Sequence, residues 1–183
     1  MISIMSEDFI ERFIALAEKR RTCDPGSLLF HQGDRVRAVF VVEEGLVELT
    51  RQQEDGTAIT LQRATGHTVL AEASVYSEAY HCAGLVGAPT RLFELPKTSF
   101  LAYIQKDAGF SSLWAKHLAR EVQSARHRSE VLSRKTVGAR LDGWLAWHGS
   151  TVPAKGQWKT VAQQIGVSPE ALYRELAKRR QIL

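Results

Sequence analysis

The spacing of apolar residues along the chain predicts helices towards its two ends and strands between them. Residues 6–21 carry an apolar stripe with helical spacing, acids at the start and Lys19-Arg20-Arg21 at the end, which is typical of an amphipathic helix. Over residues 28–95 the apolar period changes to two, and short apolar runs alternate with turn signals that include Glu44-Gly45 and Ala88-Pro89. This stretch therefore predicts an antiparallel β barrel or jelly roll.

Two helices are predicted next, a short one over residues 98–105 and a longer one over residues 110–134. The longer one contains no glycine or proline, and five of its residues are spaced like the seam of a coiled coil: Leu118, Val122, Ala125, Ser129 and Leu132. Such a seam packs either on the protein's own barrel or on a second copy of the helix. Its narrow width and the basic residues on the outer faces favour a dimer.

After the long helix, the pattern predicts a hinge at residues 136–138, a helix over residues 137–147 and a loop at residues 149–156. A pair of short helices follows this loop. The first helix of the pair ends at Gly166, because glycine readily adopts the left-handed conformation of a tight turn. The second begins with helix-start signals, Ser168, Pro169 and Glu170. Leu172 and Leu176 face inward and leave a polar outer face. This is the helix-turn-helix pattern of DNA-binding proteins, although a plain helical hairpin would show the same spacing.

Charge divides the 183 residues into two parts. Up to Ser112 there are 11 Lys and Arg against 15 Asp and Glu, whereas from Leu113 onward there are 13 against 5. A basic second half favours a polyanionic partner.

Composition and motifs exclude several classes of protein. No run of about eighteen apolar residues predicts a membrane span, and the acidic N-terminus does not resemble a signal peptide. Cys23 and Cys82 lie far apart and form no CxxC motif, so we expect a cytoplasmic protein without a disulfide framework. No hydrolase, phosphate-loop or zinc motif is present, so we expect no catalytic residue, metal or cofactor. An enzyme remains a disfavoured rival.

Three segments carry a family resemblance. Residues 28–74, LLFHQGDRVRAVFVVEEGLVELTRQQEDGTAITLQRATGHTVLAEAS, resemble the effector-binding jelly roll of the Crp/Fnr superfamily of transcription regulators. Its turn glycines fall where that family has them: Gly33, Gly45, Gly56 and Gly66. The segment TVGARLDGWL resembles the start of the family's DNA-binding domain, and IGVSPEALYREL resembles its recognition helix region.

The resemblance implies an α+β fold with three parts: a sensor jelly roll over residues 1–106, a dimerisation helix over 107–136 and a helix-turn-helix domain over 137–183. It also implies a homodimer that binds a two-fold symmetric operator in double-stranded DNA, with RNA polymerase as a candidate partner. The β-hairpin wing that usually follows the recognition helix has no counterpart before the chain ends at Leu183.

An effector pocket is implied at Glu72, Ala73, His81, Cys82, Ala125 and Arg126. Members that respond to cyclic AMP carry Gly-Glu and then Arg-Ser, where this chain has Ala71-Glu72 and His81-Cys82. The arginine that pairs with the cyclic phosphate is thus replaced by His81, so cyclic AMP is not expected to be the effector. The cysteine cluster of iron–sulfur members is also missing. His81-Cys82 is either a haem or redox site or, as we favour, a solvated histidine beside a buried thiol.

The chemistry of the DNA grooves identifies candidate base readers in the second helix of the pair. Arg174 can bind a guanine edge and Glu170 can accept from cytosine N4, and the resemblance places base readers at both positions. Tyr173 would contact a base methyl group or a phosphate. The residues expected on the DNA backbone are Ser168, Lys178, Arg179 and Arg180. The alternative is a ligand-binding or protein-interaction module with a degenerate helix pair, because Glu175 stands where an apolar residue often sits.

Overall fold

In a computed structural model, described over residues 4–56, 58–149 and 154–180, the chain divides into two compact units, residues 1–118 and 119–183. The first unit is mostly antiparallel sheet and the second is helical, so the predicted α+β class is confirmed. Across the described segments no helix is long and apolar enough to cross a membrane.

The sheet of the first unit forms the predicted jelly roll. Its strands run in the spatial order β1 (Lys19–Cys23), β6 (Ala83–Pro96), β3 (Ala38–Gln52) and β4 (Ala58–Ala64). All pairs are antiparallel, and two short strands complete the sheet: β2 (Leu28–Phe30) pairs with β6, and β5 (Thr68–Leu70) pairs with β3.

Alternation along β3 builds a core on each face of this sheet. Ala38, Phe40 and Val42 point into the barrel, while Val39 and Val41 point outward under the helices. The outward side chains pack with Phe9 and Phe13 of the N-terminal helix α1 (Ile4–Leu16) and with Phe100, Phe110 and Trp114 of the helices that follow the barrel. The period of two in the sequence is therefore explained by two apolar layers.

The prediction of one N-terminal helix over residues 6–21 is wrong at its C-terminal end. Helix α1 ends at Leu16, and Lys19-Arg20-Arg21 belongs to β1, which pairs with β6. Carboxylates on other strands of the sheet bind the two arginines: Arg20 donates to Glu43 of β3 at 2.9 Å, and Arg21 forms a 3.0 Å ion pair with Glu94 of β6. The ladder and these ion pairs outweigh the interaction of basic side chains with a helix dipole, which is worth about 0.3–1 kcal/mol.

Two predicted turns are also wrong, because β3 and β6 continue through Glu44-Gly45 and Ala88-Pro89. The two strands instead bulge opposite each other, with register shifts between Val42 and Val47. Gly45 has φ +99°, and a Cβ at this position would lie 2.7 Å from Thr90 Cα. The Thr90 hydroxyl accepts from the Leu46 amide at 3.0 Å, which satisfies a backbone donor at the bulge.

The helices after the barrel lie where the sequence predicts them. They are α2 (Lys97–Lys106), the long α3 (Ala108–Ser133), α4 (Val137–His148), α5 (Trp158–Gln164) and α6 (Pro169–Arg180). Part of the predicted loop, residues 150–153, lies outside the described segments. Buried residues from the end of α3 and from α4, α5 and α6 form the core of the second unit, around Val131, Trp144, Ile165 and Leu172.

Candidate nucleic-acid interface and effector pocket

The turn between α5 and α6 has the geometry that its sequence predicts. Gly166 has φ +65°, and a Cβ there would lie 2.6 Å from Cδ2 of Leu132. The Val167 amide donates to the Ala162 carbonyl at 2.9 Å, which closes the end of α5. Ser168 then caps α6, because its hydroxyl accepts from the Ala171 amide at 3.2 Å.

Helix α6 is anchored on one side and open on the other. Leu172 and Leu176 are buried in the core of the second unit, as predicted. The opposite side of the helix carries exposed residues at helical spacing, Glu170, Tyr173, Arg174, Ala177 and Lys178. The Tyr173 ring lies 5.7 Å from the ring of buried Trp158, so this exposed tyrosine packs against a buried side chain. The candidate base readers thus share one accessible face.

Arg179 is engaged within the second unit. Its guanidinium binds Asp142 of α4 at 2.6 Å and Glu175 of α6 at 2.9 Å, and it donates to the Gly138 carbonyl at 3.0 Å. The hydrogen bond with Asp142 raises the pKa of Arg179, and Glu175 adds to this effect. The ion pair with Arg179 therefore explains why a charged residue, Glu175, stands where an apolar residue often sits. The side chain of Arg180 lies outside the described residues.

A second arginine, Arg140 of α4, binds the turn itself. Its Nη1 donates to the carbonyls of Ile165 at 3.2 Å and Gly166 at 2.9 Å, and its Nε donates to the Arg134 carbonyl at 2.8 Å. The predicted hinge at residues 136–138 is therefore bridged by hydrogen bonds, and the Thr136 hydroxyl caps α4 by accepting from the Ala139 amide at 3.1 Å.

The acids of the second unit are largely neutralised within it. Glu130 pairs with Arg134 at 2.7 Å, and Asp142 and Glu175 share Arg179. The charge of the second unit that remains beside these pairs is positive. On the open face of α6, Glu170 lies beside Arg174 and Lys178. Such a surface attracts a polyanion.

The first unit holds a pocket of about 110 Å³ at the predicted effector site. It brings together four of the predicted residues, Glu72, Ala73, His81 and Cys82. The other lining residues are Phe30, Leu49, Leu61, Gln62, Ala71 and Ser74. Ala125 and Arg126, which were also predicted for this pocket, are exposed residues of the second unit.

Polar groups at one end of the pocket are held in place by a short 3₁₀ turn, Glu72–Ser74. The hydroxyl of buried Ser74 lies 2.8 Å from Nδ1 of His81, which is itself exposed. Cys82 is 2% exposed, and burial raises the pKa of its thiol, with a further contribution from Glu72. His81 and Cys82 thus have the exposure and the burial that the favoured interpretation predicts.

Ala71 precedes this turn with an unusual backbone conformation for a residue other than glycine. Ala71 has φ +69° and ψ 13°, a left-handed conformation that costs an L-residue about 1–2 kcal/mol. Its methyl group is buried and lines the pocket. The alanine side chain therefore occupies room in the pocket that a glycine at this position would leave open.

Sequence reasoning missed Gln62, Ser74 and Arg140. Ser74 could have been found, because it lies between the two motif pairs that mark the pocket. Gln62 occupies a pocket position through a bulge between β3 and β4, and Arg140 acts through carbonyls 25 and 26 residues away. Neither leaves a local signal in the sequence.

Comparison with known proteins supports the same architecture. Residues 20–107 match the family model of the cyclic nucleotide-binding domain. The c-di-GMP-responsive global regulator CLP of Xanthomonas campestris superposes with a TM-score of 0.65 at 17% identity, over 96% of this chain and 92% of CLP. FixK2 from Bradyrhizobium japonicum superposes with a TM-score of 0.70 at 15% identity, over 89% and 84% of the two chains.

A CRP-family transcriptional regulator from Thermus thermophilus gives a TM-score of 0.61 at 18% identity, over 88% of this chain and 84% of that protein. No curated protein sequence matches the chain. Its first unit is thus a domain of the cyclic nucleotide-binding type. The chain as a whole has the fold of the Crp/Fnr transcription regulators, as the sequence motifs indicated.

Proposed function

We propose that this protein is a homodimeric transcription regulator that reads a two-fold symmetric DNA operator through α6. The observation that carries the proposal is the open polar face of α6. The opposite side of this helix is anchored by buried Leu172 and Leu176 in a positively charged unit. A helix anchored in this way can enter the major groove with its side chains directed at base edges.

The proposed contacts follow from groove chemistry. Arg174 binds a guanine edge, Glu170 accepts from cytosine N4, and Tyr173 packs against a base methyl group. Ser168, Lys178 and Arg180 bind phosphates and fix the position of the helix. Arg179 takes a different role from the one its sequence suggested, because its ion pairs with Asp142 and Glu175 support the orientation of α6 instead of a phosphate contact.

The proposed dimer forms through the seam of α3, which consists of Leu118, Val122, Ala125, Ser129 and Leu132. Val122 is 48% exposed and Leu132 is 37% exposed, and small Ala125 and Ser129 are exposed between them. Small residues flanked by larger apolar ones allow a second helix to approach closely. RNA polymerase is the candidate partner for a regulator of this kind.

The first unit serves as the sensor in this proposal, and cyclic AMP is not its signal. Among the described residues that line the pocket there is no lysine or arginine to pair with a cyclic phosphate. A buried phosphate without a cationic partner is strongly unfavourable. We expect calorimetric titration with cyclic AMP to show no binding tighter than millimolar.

The experiment that tests the proposal is selection of genomic DNA fragments by the purified protein, followed by gel shifts on the enriched sequences. With about four to six phosphates neutralised, affinity should fall by about two to three decades between 50 and 200 mM salt. Sedimentation at micromolar concentration should report a dimer. The alternative of a ligand-binding module with a degenerate helix pair requires instead that no sequence is enriched.

A further inference from the structure

The last residue of the α3 seam also contacts the turn that precedes α6. Leu132 occupies a seam position, and part of its side chain is exposed. We propose that Leu132 is a positioning residue that couples the packing of α3 in the dimer to the orientation of α6. This inference rests on the proposed function, because it takes α3 as the dimer helix and α6 as the reading helix.

The contact between Leu132 and the turn is made at Gly166, the residue that follows the C-cap of α5. A Cβ on Gly166 would lie 2.6 Å from Cδ2 of Leu132. This is well inside the roughly 3.5–4.0 Å at which two carbon atoms pack best. The methyl group of Leu132 therefore lies directly over the bare backbone of the turn.

Two separate conditions favour glycine at position 166. The first is the left-handed backbone, with φ +65°, where asparagine is the usual alternative to glycine at the end of a helix. The second is the side chain of Leu132, which leaves no room for a Cβ. Asparagine would satisfy the first condition but would displace Leu132. The turn is therefore fitted to the end of α3 as well as to its own backbone.

Hydrogen bonds connect the contacted residue to the start of α6. Arg140 donates to the Gly166 carbonyl at 2.9 Å and holds the turn from the side of α4. Ser168, two residues further on, caps α6 by accepting from the Ala171 amide at 3.2 Å. We therefore expect a displacement of the turn to reach the first residues of α6.

The surroundings of Leu132 determine the direction in which its side chain can move. Val131, the preceding residue, is buried in the core of the second unit. Because successive residues of a helix are rotated by about 100°, Leu132 lies at the edge of this core and keeps an open side. In the proposed seam the partner helix packs on that open side. Pressure from the partner would then push Leu132 towards the turn, and a larger residue in the turn would push it towards the partner.

The first test changes the turn and measures the dimer by sedimentation of the intact chain. Gly166→Ala should displace Leu132 towards the seam and weaken dimerisation at least about 5-fold. The matched control is Gly149→Ala, because Gly149 also has a positive φ, +95°, but a Cβ there would meet no neighbouring side chain among the described residues. This control should leave the dimer unchanged. When Leu132→Ala is already present, Gly166→Ala should no longer weaken dimerisation.

The second test changes the seam and measures DNA binding by gel shift, at protein concentrations well above the dimer dissociation constant. Leu132→Ala should weaken binding to the selected operator at least about 5-fold. It should weaken binding to random DNA less, because non-specific binding depends on phosphate contacts instead of the orientation of α6. The matched control is Val122→Ala, an exposed seam position that is not in contact with Gly166, and it should leave operator affinity unchanged. Leu132→Met keeps a side chain of similar volume and should retain operator binding.

The proposal is overturned if Gly166→Ala dimerises as well as Gly149→Ala, or if its effect persists together with Leu132→Ala. It is also overturned if Leu132→Ala binds the operator as tightly as Val122→Ala does. If Gly166→Ala does not fold, the second test decides alone. An unmodified protein that is monomeric or selects no DNA sequence rejects the proposed function and this inference with it. A dimer that selects DNA without this coupling rejects only the role of Leu132.

Discussion

Replacing Arg179 by methionine should destabilise the second unit while having little effect on the number of phosphates bound. The substitution keeps an unbranched side chain of similar length and removes the guanidinium. It thereby breaks the ion pairs with Asp142 and Glu175 and the hydrogen bond to the Gly138 carbonyl. These contacts hold α6 against α4, so their loss should lower the stability of the fold more than it lowers the affinity for DNA.

The magnitude follows from the exposure of each partner. The Asp142 side chain is 60% exposed, so this pair is screened by water and contributes about 0.5 kcal/mol. The Glu175 side chain is only 22% exposed, and leaving its charge without a partner costs about 1–2 kcal/mol. The Gly138 carbonyl loses a donor at a cost of about 1 kcal/mol. The total is about 2.5–3.5 kcal/mol, or about 10–28 °C in Tm for a unit of this size.

Thermal and urea unfolding followed by circular dichroism measures this loss. Lys178→Met is the matched control, because Lys178 is exposed on the same helix and should change stability by less than about 0.5 kcal/mol. The double change Arg179→Met with Glu175→Gln should recover about 1 kcal/mol, since it removes the uncompensated charge. Arg179→Met with unchanged stability and a salt slope reduced by about one would refute the structural role.

Five further substitutions test other parts of the molecule. Val122→Glu should convert the dimer into a monomer in sedimentation, because a charge on the seam would be buried against its counterpart; a surviving dimer would place the interface elsewhere. Arg174→Ala should cost about 1–3 kcal/mol on the preferred operator and relax specificity at one base pair of each half-site, as read by gel shifts on single-base variants. Gly45→Ala should destabilise by more than about 2 kcal/mol in urea, and Gly56→Ala by only about 1 kcal/mol, because both have positive φ but only the first lacks space for a Cβ. Burial raises the pKa of Glu121, so the stability of the folded protein falls as pH rises from the ordinary value of 4.5 through the folded value; Glu121→Gln should therefore raise the urea midpoint at pH 7 and have no effect at pH 4.

The helical half of the molecule could be predicted because its signals are local. The turn at Gly166 and the cap at Ser168 are each decided by residues within a few positions, and both are found as expected. The same local rules failed at Lys19-Arg20-Arg21, where the partners of the basic residues lie on strands 23 to 73 residues away. A run of basic residues can end a helix or lie on a strand. Which of the two occurs depends on carboxylates that are distant in the sequence.

The sheet and the pocket show the same limit. Gly45 and Pro89 resemble turn residues, but they face each other across a bulge between two continuous strands, which depends on the register of β3 and β6. At the pocket, the motif positions correctly brought Glu72 close to His81 and Cys82. Ser74, between the two motif pairs, could have been added to the predicted pocket, whereas Gln62 could not be predicted without knowing which strand ends meet there.

The hydrogen bonds of Arg140 have a mechanical consequence. One guanidinium joins the carbonyl of Arg134, the residue that follows α3, to the turn that precedes α6, so hydrogen bonds tie the end of the long helix to the start of the proposed reading helix. In the proposed dimer, rotation of α3 about its axis would then be carried to α6 without loss at the junction. The angular phase of the two reading helices, and hence the number of base pairs between operator half-sites, becomes a property of α3 packing instead of loop length.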